Sequence, residues 1–254
     1  IAMGSLKNKM LFLLPGALVL SWLAPWIITP LLMIGGAYLC LEGFHKVAEL
    51  IKPHAPESHD DALSEPMTPK QFEESKVESA IRTDFILSAE IMAISLASIT
   101  SPGILTQAIV LFSVGVLVTA GVYGVVAIIV KADDFGVYLA QCGGTITIAI
   151  GRAIAYGMPP FLKMLSFVGL VAMLWVGGGI IIHGLHAYGI DGPEHVVQVI
   201  SDATRAAIPQ IVGLLPWLAG AITSAILGLF IGAIAAFAVV PVLTPLWRAV
   251  RTAR

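Results

Sequence analysis

Ile104-Leu-Thr-Gln-Ala-Ile-Val-Leu-Phe-Ser-Val-Gly-Val-Leu-Val-Thr-Ala-Gly-Val-Tyr-Gly-Val-Val-Ala-Ile-Ile-Val130 carries no charged residue and no proline. Coiled as an α-helix, rising about 1.5 Å per residue, it is roughly 40 Å long. About 20 apolar residues suffice to cross the hydrocarbon core of a bilayer. Backbone groups find no water there, so a crossing segment must be a helix or belong to a closed barrel. The run lacks the alternation of apolar and polar residues that barrel strands show, which leaves the helix. A second uncharged stretch, Ala206 to Trp247, is longer still.

The rest of the chain agrees. Hydrophobic residues make up 57% and charged residues 12%, whereas soluble domains carry about 25% charged. Mean hydropathy is +0.92. Of the 30 charges, 14 lie between Lys46 and Asp84. The net charge of −2 offers no clustered basic face for nucleic acid. Cys40 and Cys142 sit among apolar or small residues and read as buried free thiols. The chain begins at Ile1 rather than Met, and further residues upstream are expected.

Prolines divide the apolar mass. Pro15, Pro25 and Pro30 punctuate the stretch Met10 to Leu41, because proline removes a helical donor and disfavours helix in the preceding residue. Two segments follow, about 10–23 and 25–44, either as two crossings or as a re-entrant hairpin. Lys46 to Arg82 reads as a polar loop with a mobile linker at His54–Asp61 and a short charged helix after Thr68-Pro69. Asp84 to Ser101 is a third segment and Ile104 to Val130 a fourth, closed by Lys131-Ala-Asp-Asp134. Phe135 to Pro160 is only moderately apolar and is expected to end at Met158-Pro159-Pro160. Phe161 to Gly184 is a clear span, followed by a polar loop from His186 to Arg205. The last run, Ile208 to Trp247, is a long tilted helix or two pieces, with Pro216, Pro241 and Pro245 as break points. The expectation is an all-α polytopic bundle, a single membrane domain over 1–254, with about six crossings and proline-broken or re-entrant segments. Basic residues gather at Lys7 and Lys9, in the Lys46–Arg82 loop, at Lys131 and at Arg248, Arg251 and Arg254. Placing these flanks inside puts both termini and the 46–83 loop in the cytoplasm.

A few residues stand out chemically. Glu90 lies inside the third segment, and a helical wheel puts Thr83, Glu90, Ala97 and Ser101 on one narrow face. Intramembrane carboxylates cost about 2.5–3.5 kcal/mol on insertion scales and usually face a bundle interior or a wet cavity. Glu90 with Thr83 is therefore the candidate transport site, with Arg152 as a neutralising or anion-binding cation. Snorkelling of Glu90 to the interface is the plain alternative. Glu42 with His45 reads as an interfacial pair, and Asp133-Asp134 as helix caps. Gly220, Ser224, Gly228, Gly232 and Ala236 recur every four residues, the small-residue stripe that lets helices approach closely. It can serve one chain or a homo-oligomer. His183 and His186 share a helix face and are weak metal candidates without fixed third and fourth ligands; no metal site and no cofactor is expected. No His-Glu-x-x-His, Gly-x-Ser-x-Gly, Walker or Gly-x-Gly-x-x-Gly pattern occurs, so an enzyme is not expected.

The segment Ala24-Pro-Trp-Ile-Ile-Thr-Pro-Leu-Leu-Met-Ile-Gly-Gly-Ala-Tyr-Leu-Cys-Leu-Glu-Gly-Phe-His-Lys46, together with Arg82-Thr-Asp-Phe-Ile-Leu-Ser-Ala-Glu-Ile-Met-Ala-Ile-Ser-Leu96, resembles the YedI-type bacterial inner-membrane proteins. The resemblance implies an inner-membrane location and a polar region upstream, and it transfers no functional residue. Two functions fit these features. One is a small-solute or ion transporter using Glu90 and Arg152. The other is a non-transporting scaffold or accessory subunit, built on the small-residue stripe and the charged loop.

Overall fold

The computed structural model describes residues 2–51, 69–99, 103–141, 144–207 and 213–251. The linker at His54–Asp61, the Ser101-Pro102 stop, Cys142 and Arg254 lie outside the described residues. Among the described residues every regular element is helical. Five helices are long and apolar enough to cross a membrane: Ala2–Leu23, Pro25–Ile51, Ile104–Gln141, Thr147–Ala187 and Leu214–Ala238. The chain is a multi-pass all-α membrane protein.

The first of these is a composite. Helix α1 (Ala2–Asn8) passes through a π-helical turn at Lys9–Leu13 into α2 (Leu14–Leu23). It starts eight residues before the expected Met10, so Lys7 and Lys9 belong to the helix rather than to its flank. A 3-10 turn at Pro25–Ile27 leads into α3 (Ile28–Ile51), and the break falls at Ala24-Pro25 as proline chemistry requires.

Three expectations are corrected. Helix α4 (Pro69–Ala97) joins the charged helix and the third segment into one rod, since no glycine or proline separates them. It does not rank among the five spans, because Arg82, Asp84 and Glu90 fall within its apolar half. Helix α5 (Ile104–Gln141) runs past Lys131 and Asp134, whose side chains are exposed and so do not stop it. Helix α6 (Thr145–Ala187) carries Pro159 and Pro160 in its interior. Both prolines are exposed, and long helical turns on either side have no alternative pairing in hydrocarbon. The expected end at Pro160 is absent.

Helix α7 (Gly192–Ala207) replaces the expected polar loop. Gly189, at φ +81°, ends α6: Gly189 N–H donates to His186 O at 2.9 Å and Ile190 N–H to Leu185 O at 3.0 Å. This is the paired closure that a left-handed glycine permits. Helix α8 (Leu214–Arg251) is continuous through Pro216, Pro241 and Pro245.

The described residues fall into two compact units, Ile1–Leu23 with Ile91–Gly169 and Ala24–Glu90 with Leu170–Arg254. In the first, Met92, Leu96 and Leu111 are buried beneath Leu13, Leu14, Ala17 and Leu18. The α5–α6 hairpin closes on glycine: a Cβ on Gly151 would strike the Ala140 backbone, and one on Gly136 would lie 2.9 Å from Ile154 Cβ. In the second, Leu39, Leu170, Met173, Leu174, Ile180 and Ala225 form the core.

Candidate functional site

Two polar clusters are built into these apolar units, and Glu42 centres the one in the second unit. Residues four apart share a helix face, so Glu42 and Lys46 meet on α3, while Ser79 and Thr83 meet on α4. Glu42 Oε1 accepts from Lys46 Nζ at 2.8 Å and from Ser79 Oγ at 2.8 Å, and Oε2 accepts from Thr83 Oγ1 at 3.3 Å. The carboxylate side chain is only 14% exposed. One turn along each helix, the Arg82 guanidinium lies 5.9 Å from the Tyr38 ring centroid and donates to Glu78 Oε1 at 2.8 Å. Glu42 thus has three donors and acts as a clamp between α3 and α4. Its expected partner His45 instead has its ring beside Phe44, at 6.2 Å between centroids.

Glu90 lies two turns beyond Thr83 on the same helix and is half-buried. No hydrogen bond or ion pair joins it to another described residue. Thr83, expected beside Glu90, gives its hydroxyl to Glu42. Arg152 is exposed on α6 and belongs to the other unit.

The cluster in the first unit is one that sequence reasoning missed. Lys9, at the head of the π-helical turn, is 1% exposed, as is Ser5 one turn before it. Lys9 Nζ donates to Thr119 Oγ1 at 3.0 Å, and that hydroxyl donates to Gly115 O at 2.7 Å. The ammonium also lies 6.0 Å from the Tyr123 ring centroid, within reach of a cation–π attraction. Gly115, Thr119 and Tyr123 are successive turns of one face of α5. Gly115 leaves room for the Met10 and Met92 methyl groups, the latter 3.1 Å from where a Cβ would sit. The available signal was the four-residue spacing of Ser5 and Lys9, and of Gly115, Thr119 and Tyr123. The positive-inside reading concealed it by treating Lys9 as a flank. An ionisable group placed this way is costly in hydrocarbon, which makes the cluster a candidate functional site.

The histidines take other partners. His183 Nδ1 lies 3.1 Å from Gly179 O of its own helix. His186 Nδ1 pairs with Asp191 Oδ1 at 2.7 Å and lies 3.2 Å from Glu194 Oε2. The second contact lacks hydrogen-bond alignment, so Glu194 Oε2 is buried without a bonded partner among the described residues. Among them no group of three His, Cys, Asp or Glu is arranged for a metal ion.

The small-residue stripe of α8 meets three helices. Gly220 faces Val197 of α7 at 3.6 Å from a would-be Cβ. A Cβ on Gly228 would strike Leu174 O of α6, and one on Gly232 would strike Cys40 O of α3. Gly178 of α6 abuts Ser224 O in the same manner, and Ala236 is buried. Backbone touches backbone here within one unit.

Residues 1–238 match the family model described as a protein of unknown function (DUF808), and the chain belongs to that family. Neither a curated protein nor a solved structure matches the chain.

Proposed function

We propose that this DUF808 family member moves a small solute or ion across a membrane. The observation that carries the reading is Lys9, an ammonium 1% exposed inside a unit of apolar helices. Lodging a charge there costs several kcal/mol before pairing, and membrane chains that retain such groups use them in solute or ion pathways. Glu90, half-buried and away from the Glu42 clamp, is the carboxylate for coupling to protons or cations. Thr83, which serves Glu42, has a supporting role, and Arg152 is the candidate exposed cation. The bacterial inner membrane follows from the resemblance to YedI-type proteins, and cytoplasmic termini from the basic residues of the 46–82 stretch, Lys131 and the C-terminal arginines with α4 as a sixth crossing; both belong to this proposal.

The test is reconstitution of the purified chain in proteoliposomes, with uptake and efflux of a broad panel of ions and small metabolites. A flux that falls at least tenfold in Lys9→Met or Glu90→Gln supports the reading. A second reading, a scaffold or accessory subunit, is favoured by the backbone contacts of α8 with α6 and α3, which suit a rigid assembly. Absence of flux across the panel, with intact fold, selects it.

A further inference from the structure

Helix α7 is read from sequence as an outward polar loop, yet it leaves an apolar face without a partner among the described residues. It runs antiparallel to the first half of α8: Val197 faces Gly220, and Ser201 Oγ donates to Pro216 O at 3.1 Å. Counting about 100° per residue, the edge turned to α8 carries Val197, Ser201 and Thr204. One side of that edge carries Val196, Val199 and Ile200, all exposed, with Val199 at 51%. The opposite side carries the charged and polar residues, including Glu194, which reaches toward His186 of α6.

The same count on α8, taken from Pro216 and Gly220 at the edge that meets α7, places Ile226 about 100° and Ile222 about 140° round from it, both exposed, with Leu218 on the far side. Because the two helices are antiparallel right-handed rods, the exposed face of α7 and that of α8 turn to the same side. They turn an uncharged surface to that side, part of it on a helix long and apolar enough to cross a membrane.

We infer that the Val196–Val199–Ile200 face of α7 is covered by lipid acyl chains, so that α7 and α8 enter the bilayer as one helical hairpin with the polar face of α7 turned away from lipid. The continuity with α8 selects lipid as the occupant. The face carries no charge for a water-soluble partner to pair with, and an exposed apolar patch of this kind needs an apolar cover. The polar side, with Asp202 and Arg205 both largely exposed, stays wet, as an amphipathic helix at a lipid boundary demands.

The experiment places a bimane fluorophore on Val199→Cys, Asp202→Cys and Ile222→Cys, each in a background carrying Cys40→Ala and Cys142→Ala, in nanodiscs of brominated phosphatidylcholine. The expected result is at least twofold quenching at Val199→Cys, matching Ile222→Cys, and less at Asp202→Cys, where aqueous iodide quenches instead. Iodide quenching at Val199→Cys without bromine quenching overturns the inference, because that face is then in water. A disulfide between two copies through Val199→Cys, or protection from both quenchers, also overturns it, because protein then covers the face. Should Val199→Cys fail to fold, Val196→Cys and Ile200→Cys probe the same face.

Discussion

Lys9 Nζ and Thr119 Oγ1 lie 3.0 Å apart, although 110 residues separate them in sequence. The hydroxyl accepts from the ammonium and donates its own hydrogen bond to Gly115 O, so its orientation is fixed from both sides. A hydrogen bond to a charged group contributes about 1.5–3 kcal/mol.

Thr119→Val is therefore expected to destabilise the protein by about 1–3 kcal/mol, read as a lowered midpoint in SDS or thermal unfolding. Lys9→Met keeps the volume and removes the ammonium together with its contact to the Tyr123 ring, so it tests the charge itself. A Lys9→Met protein that unfolds more readily than Thr119→Val would show that the ammonium itself holds the unit together.

The Glu42 clamp yields a graded series. Ser79→Ala removes a 2.8 Å bond and Thr83→Ala a 3.3 Å bond to the same carboxylate. Ser79→Ala should cost about 1 kcal/mol and Thr83→Ala less. Lys46→Ala should cost only about 0.3–0.5 kcal/mol, as an i,i+4 pair with a half-exposed lysine. Double-mutant cycles with Glu42→Gln check the order, and equal coupling for Ser79 and Thr83 would refute it.

Gly228→Leu and Gly232→Leu place a side chain where another backbone lies. Overpacking of a core costs about 1–3 kcal/mol, and a backbone neighbour yields less readily than a side chain, so loss of the folded protein is the expected outcome. Phe230→Leu on the exposed face should stay within about 0.5 kcal/mol. Leu229, by contrast, packs on the core and is not a neutral site. Unchanged melting of Gly228→Leu in detergent contradicts the contact with Leu174.

Glu90→Gln preserves shape while removing titration. Because Glu90 makes no polar contact with a described residue, the variant should fold and assemble as the parent does. On the transport reading it abolishes the pH dependence of flux. Wild-type flux at every pH would make Glu90 structural.

Orientation is tested by labelling from outside intact cells. With α4 as a sixth crossing, a cysteine at Asp202, on the wet side of α7, is expected to react and one at Lys70 is not. The opposite pattern inverts the topology.

Membrane character, helical class and the first break at Pro25 were legible because each depends on local chemistry: uncharged runs, backbone pairing in hydrocarbon, and the fixed φ of proline. The packing stripe on α8 was visible as a period of four, though not which helix each glycine meets. Where a helix ends was harder to read. Pro159 and Pro160 break a helix in water yet not in a long apolar rod, and Lys131 with Asp134 ends one only if side-chain solvation demands it.

Polar function was read least well. Composition and spacing determined that this chain is an all-α, multi-pass membrane protein with a charged region ahead of Glu90. Only the tertiary structure decided that Lys9 is interior, that Thr83 serves Glu42, and that α7 is a helix beside α8. The reason is physical. Insertion into hydrocarbon is an additive property of neighbouring residues, whereas burial of an ammonium depends on Thr119 and Tyr123, distant in sequence and brought within reach only by the packing of α5.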